Sequence, residues 1–241
     1  MWLTNFTISI VLCAALPELM VGTNLPPALL VHVDTPVRVL NPTIFDLLAF
    51  NDPVTIATSS NTMWGRPAMT ALLCTTLHIL SVLCLDNNHW VALRTSKEFN
   101  LVELFLFLQT EHERVRARVY AEEVVSYLIA VGHLQLGVRY QYRTSPEWRQ
   151  RDGSSCGLFA LGTIVSLARD HRLKLDCSDS AGRQKDWRRY FARLVVDAAQ
   201  ATAVGSSDDE APRTPVELKV IDYDFTEEDD DGIAIDLTKD D

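Results

Sequence analysis

At 241 residues, with 47% apolar and 22% charged side chains, the chain is long enough for one sizeable domain and ordinary in composition for a globular protein. The net charge of −10 sits at the C-terminus: residues 206–241 carry 14 acidic and 3 basic side chains, net −11, and the rest carries 18 and 19, net +1. A near-neutral body with an acidic tail gives no whole-protein electrostatic argument for nucleic-acid binding.

Residues 1–17 begin with a largely apolar stretch, and two readings apply. One is a secretory signal, which normally carries a basic flank that is missing here. The other is an amphipathic helix with Leu3, Phe6, Ile10, Cys13 and Leu16 at three-to-four-residue spacing, stopped by Pro17. The helix is the expectation. Residues 31–40 read as extended chain, which Pro36 demotes from a central strand. Helices are expected over 42–50 and 63–77, the second with Pro67 near its first turn. Residues 79–85 form a short apolar run that reads as a buried strand, and Asp86-Asn87-Asn88 turns the chain into strands over 90–93 and 101–108. A long helix follows over 111–134, with Val115, Val119, Leu128 and Val131 among its apolar positions. A strand over 137–142 and helices over 154–172 and 186–199 complete the body, the last with Trp187, Phe191, Leu194 and Val195 on one side. No apolar run is long enough for a convincing membrane span, and no repeat is present.

The chemistry-bearing segment is Gln150-Arg151-Asp152-Gly153-Ser154-Ser155-Cys156-Gly157. A cysteine opening a helix after a glycine-bearing turn meets unsatisfied N–H groups and the positive dipole end, which favour a thiolate. Gln150 supplies an amide donor for an oxyanion, with the backbone N–H of Cys156 as its partner. His89, at a strand start and followed by Trp90, is the candidate general base. The other histidines lie in different contexts: His32 in extended chain, His78 before the buried strand, and His112, His133 and His171 on or beside helices. The remaining cysteines, Cys13, Cys74, Cys84 and Cys177, are irregularly spaced and read as inert. With no C-x-x-C pair and an odd total of five, neither a zinc site nor a secreted disulfide framework is expected. The reading is therefore of a reducing compartment, nuclear or cytoplasmic, with no cofactor and no metal.

The Q-x-D-G-x-S-C-G-L-F segment, with His89-Trp90 upstream, resembles the ubiquitin-like-protein proteases of the Ulp1/SENP type, which cleave SUMO. Trp2-Leu3-Thr4-Asn5-Phe6-Thr7-Ile8 is similar to the W-L-x-D-x-x-I element that opens that family's catalytic domain, so the likeness spans residues 1 to about 200. It implies an α+β, papain-like cysteine-protease architecture: a small central sheet flanked by helices over residues 1–203, then a disordered acidic tail over 204–241. It implies Cys156 as nucleophile, His89 as base and Gln150 as oxyanion donor. It also implies that Trp90 and Trp2 close over the Gly-Gly end of the modifier, a slot too narrow for side chains. Two positions depart from the pattern. The third catalytic residue, usually Asp, falls on Leu106 in an ungapped reading, with Glu103, Gln109 and Glu111 as nearby alternatives. Asn5 stands where the family has Asp, which removes a carboxylate from the modifier-binding surface.

In the tail, Ile233, Ile235 and Leu237 alternate beside Lys239-Asp240-Asp241 in the manner of a SUMO-interacting motif, which adds as a strand to a sheet edge. A weaker second candidate runs from Val220 to Tyr223. The reading is a monomeric cysteine isopeptidase acting on SUMO or another ubiquitin-like modifier. Its alternative, motivated by Leu106, is a catalytically weak scaffold that binds SUMO.

Overall fold

Two eight-residue apolar strands, β3 (His78–Leu85) and β4 (His89–Ser96), form the centre of the sheet. The turn between them places Asp86 and Asn87 at φ 52° and 59°. Asp and Asn tolerate this left-handed region, and two such residues match the twist of a tight hairpin. Its last pair is Leu85 with His89.

The computed structural model describes residues 5–21, 36–48, 50–59, 65, 67–144, 149–150, 152, 155–169, 187–194 and 196. Six strands lie in the order β1-β2-β3-β4-β5-β6. β1 (Met20–Val21), β2 (Val37–Leu40) and β3 run parallel. β4 is antiparallel to both neighbours, and β5 (Leu101–Phe105) pairs in parallel with β6 (Arg139–Arg143). Pro36 does not demote β2, which lies between β1 and β3. The proline precedes the strand, and its carbonyl accepts the N–H groups of Leu77 and His78, so its missing donor is never needed.

Alternation along β4 divides the interior into two layers. Val91 and Leu93 face a cluster covered by α2 (Ile44–Leu48), α3 (Pro53–Thr58), α4 (Pro67–Thr75) and α5 (Glu111–Ala130). Trp90 and Ala92 face a second cluster covered by α1 (Asn5–Ala15), α6 (Cys156–Arg169) and helical residues 187–194. The α+β architecture thus has helices on both faces of a mixed sheet. α3 was not legible as a helix, although Asp52 caps it by accepting Thr55 N–H at 2.8 Å and Pro53 opens it.

Two helix faces differ from expectation. α1 buries Ile8, Val11, Leu12 and Leu16, while Ile10 is 39% exposed and Cys13 only half-buried. The helix is apolar around most of its circumference, so spacing alone does not choose a face. Its orientation is keyed by buried Ser9, which donates to Asn41 Oδ1 at 2.7 Å. On α5, Val115 and Val119 are 53% and 50% exposed, whereas Glu113, Ala117, Ala121, Val124, Val125 and Leu128 are buried. A ridge of alanines lets the helix lie close to the sheet, and a glutamate takes an inward position. Leu128 and Val131 are buried as expected. Among residues 187–194, Phe191 is buried, and Trp187 and Leu194 pack against the second cluster. Val195, the tail over 204–241, and with it Ile233, Ile235, Leu237 and the weaker 220–223 candidate, lie outside the described residues.

Candidate active site

The hairpin turn releases His89 at the rim of the sheet, on the first residue of β4. The N-terminal turns of α5 and α6 bring Glu113 and Cys156 to the same rim. α5 is capped by Thr110, whose extended backbone lets its hydroxyl oxygen accept Glu113 N–H at 3.0 Å. Thr110 and Glu113 have capping-box spacing, but the glutamate does not close the box on Thr110 itself. Its Oε1 accepts Phe107 N–H at 2.9 Å and Leu108 N–H at 3.2 Å, and its Oε2 accepts Gln109 N–H at 2.6 Å. These three successive amides, completed by Gln109 at φ 58°, form a small anion-binding nest.

The fourth partner of that carboxylate is His89, with Nε2 at 2.7 Å from Oε1. The Glu113 side chain is buried and that of His89 nearly so. Burial pushes the Glu113 carboxyl upward, but the hydrogen bonds from His89 and from the Phe107 and Leu108 amides prevail and hold it below the usual carboxylate range. On His89, burial works to lower the pKa. Hydrogen bonds to the Cys156 and Glu113 side chains, together with the charges of both, overcome it and raise the imidazole to about 9. With Nε2 held by Glu113, Nδ1 is the nitrogen left for the sulfur. The ring is thus bonded to the Glu113 carboxylate and acted on by the Cys156 side chain as well.

Cys156 opens α6, is buried, and shares its core cluster with Trp90, Phe107 and Phe159. The turn before it is braced by Asp152, whose carboxylate accepts Ser155 N–H at 2.7 Å and the Ser155 hydroxyl. The Ser155 carbonyl then accepts Leu158 N–H at 3.0 Å and Phe159 N–H at 3.1 Å, starting the helix. The first turn contains no acidic residue, so the positive end of the helix is left to act on the sulfur. Gln150 is buried next to this turn. Its N–H donates to the Phe107 carbonyl at 2.8 Å, and its side-chain amide donates to the Asp152 carbonyl. That bond fixes which end of the amide is nitrogen. The Gln150 Oε1 is buried with no hydrogen-bond partner among the described residues, which costs about 1–3 kcal/mol.

The four positions proposed for the third member from sequence do not fill it. Leu106 is buried in the first core cluster. Glu103 is buried beneath Arg94 and Arg143, with Arg143 Nε at 2.7 Å, and serves as the centre of a cross-strand ion cluster. Gln109 gives its backbone N–H to Glu113, and the Glu111 side chain is 72% exposed beside Arg114 at 3.1 Å. The carboxylate comes instead from Glu113, one turn into α5. The Thr110-x-x-Glu113 spacing was its only sequence signal. Trp90 is buried against the Cys156 layer, Asn5 is the first residue of α1, and Trp2 lies outside the described residues. His133 is a buried clamp away from this rim, with Nε2 2.7 Å from the Thr95 hydroxyl and Nδ1 3.2 Å from the Leu73 carbonyl. Among the described residues, no group of three or more His, Cys, Asp or Glu is placed to hold a metal ion.

No protein-family model matches this sequence, and no curated protein matches it. Solved structures do. The C-terminal Ulp1 protease domain in complex with Smt3, the yeast orthologue of SUMO, superposes with a TM-score of 0.57 at 14% identity, covering 82% of this chain and 78% of that one. Ulp1 with its catalytic cysteine oxidised to a sulfenic acid gives 0.59 at 12% identity, over 82% and 78%. The catalytic domain of a Chaetomium thermophilum Ulp1-like SUMO protease gives 0.53 at 16% identity, over 80% and 72%. The chain has the fold of the Ulp1-type SUMO proteases.

Proposed function

We propose that this chain is a cysteine peptidase that cleaves after the C-terminal Gly-Gly of SUMO or a related ubiquitin-like modifier. One observation carries the reading: His89 Nε2 lies 2.7 Å from a buried, fully hydrogen-bonded carboxylate, Glu113, and the Cys156 side chain is the other group that acts on the same ring. This is the arrangement thiol catalysis requires.

The Cys156 sulfur, its proton on His89, attacks the carbonyl carbon of the terminal glycine. The oxyanion takes hydrogen bonds from the Gln150 side-chain amide and the Cys156 N–H, a contribution of about 10²–10³ in rate per donor. As the C–N bond breaks, the His89 imidazolium protonates the departing amine, leaving the modifier as a thioester on Cys156. His89 then takes a proton from water, which attacks the thioester carbon and breaks the C–S bond. Glu113 keeps the ring in place and, together with the Cys156 side chain, favours its charged form against burial, which raises the pKa to about 9. Trp90, together with Trp2, is assigned to the Gly-Gly slot, and Asn5 to the modifier-facing surface. In the tail, Ile233, Ile235 and Leu237 are assigned to strand addition on a SUMO-like partner, which raises the local modifier concentration. The scaffold alternative was motivated by Leu106; the Glu113 carboxylate on His89 supports the catalytic reading over it.

Cleavage of SUMO and ubiquitin fusions by the wild-type chain, His89→Ala and Cys156→Ala tests the proposal. The expected result is turnover of a modifier fusion by wild type and a loss of about 10²-fold or more in both variants. Turnover that survives in Cys156→Ala contradicts it.

A further inference from the structure

Phe107 carries no chemistry, and the mechanism above gives it no part. Three different contacts nevertheless meet on it. Its N–H donates to Glu113 Oε1 at 2.9 Å, the same oxygen that holds His89. Its carbonyl accepts the Gln150 N–H at 2.8 Å. Its fully buried ring stacks on Phe159 of α6, with centroids 5.6 Å apart and planes 24° apart. Phe159 lies one turn along the same helix from Cys156.

The base, the oxyanion donor and the nucleophile come from three separate stretches of chain. Each is tied to this one residue: Gln150 directly by its N–H, His89 through the Glu113 carboxylate, and Cys156 through Phe159 on the same helix. We infer that Phe107 is a positioning residue that locks His89, Gln150 and Cys156 into one frame. The purpose of the frame rests on the proposed function, but its existence does not.

The physical need is plain. Reactive groups must be held within about 0.5 Å of productive geometry, and segments outside regular structure are the least rigid part of a protein. Gln150 itself belongs to no helix or strand. Phe107 itself is past the end of β5, so it has exchanged sheet pairing for bonds to Glu113 and Gln150. A leucine at this position keeps apolar volume but has no ring to stack.

The test compares full-length Phe107→Leu with Phe105→Leu, because Phe105 is buried in the same cluster but lies on the β5 ladder. With the modifier fusion as substrate, Phe107→Leu is expected to lower kcat about tenfold with KM changed by less than about twofold. Phe105→Leu, at a similar loss of thermal stability, keeps kcat within about threefold of wild type. Equal losses of kcat in the two variants overturn the inference. Amide hydrogen exchange gives an answer that does not depend on substrate. The Gln150 and Phe107–Gln109 amides of Phe107→Leu are expected to exchange about tenfold faster than in wild type, with the β3–β4 amides unchanged. Wild-type exchange at Gln150 overturns the frame. If the wild-type chain cleaves neither fusion, the functional reading falls, and the exchange experiment alone decides the frame.

Discussion

Replacing Glu113 by glutamine changes few atoms and disturbs the site most. Four donors converge on this carboxylate: His89 Nε2, Phe107 N–H and Leu108 N–H on one oxygen, and Gln109 N–H on the other. An amide offers one acceptor and turns the other position into a donor, so at least one buried N–H is left facing an N–H. Hydrogen bonds to a charged group contribute about 1.5–3 kcal/mol each, and an unsatisfied buried donor costs about 1–3 kcal/mol. A loss of about 2–4 kcal/mol in urea unfolding is expected, since the retained oxygen still serves part of the set. The kinetic effect follows from His89. Its pKa of about 9 is held up by the Cys156 and Glu113 side chains against burial, and the charged ring is lost as pH rises through that value. Without the carboxylate, the basic limb of kcat/KM moves to lower pH and the maximal rate falls about 10²–10³-fold. Glu113→Asp keeps the charge and should recover part of both. The assay is kcat/KM for modifier-fusion cleavage from pH 5 to about 10. A Glu113→Gln variant within about threefold of wild type, with its basic limb unmoved, refutes the reasoning.

Four further outcomes are expected. His89 has a raised folded-state pKa, so its stabilisation is complete below about pH 6.5 and is lost as pH rises through about 9; unfolding at pH 6 and 10 should differ by about 3 kcal/mol more in wild type than in His89→Asn. Glu113 has the opposite sign: its contribution is present above the ordinary glutamate range and is lost as pH falls through its lowered folded-state pKa. Glu103→Gln strips the carboxylate from Arg94 and Arg143, which are partly exposed, so stability in urea unfolding should fall by about 1–3 kcal/mol while the pH-rate profile keeps its shape. Val119→Ser should change stability by no more than about 0.5 kcal/mol, because Val119 lies on the solvent side of α5; a larger loss places it in the core.

The proposed pair, Cys156 and His89, is named from signals that are local in sequence. Cys156 follows a glycine-bearing run at an expected helix start, and His89 follows an Asp-Asn-Asn run that reads as a turn between two strands. Glu113 was hidden because its signals point elsewhere. In an exposed-looking run of Glu111, His112, Glu113 and Arg114, a charged residue reads as solvent-facing, and only the spacing from Thr110 marks it as a cap. The exposure of Val115 and Val119 has the same origin, since α5 turns its alanines and one glutamate inward. α1 posed another difficulty: with apolar residues on most sides, its face is chosen by Ser9 meeting Asn41, a pairing between residues far apart in the chain. Pro36 reads as an edge residue from its missing N–H, but its position just ahead of β2 leaves only its carbonyl in use. In each case the local pattern was sound and a tertiary partner decided the outcome.

The most direct test of the central claim is the reaction of the full-length chain with SUMO and ubiquitin bearing a C-terminal vinyl sulfone, followed by intact mass and peptide mapping. The account predicts one covalent adduct with a SUMO-type probe, on Cys156 and absent from Cys156→Ala. An unmodified Cys156 with every probe, or an adduct on another cysteine, contradicts it.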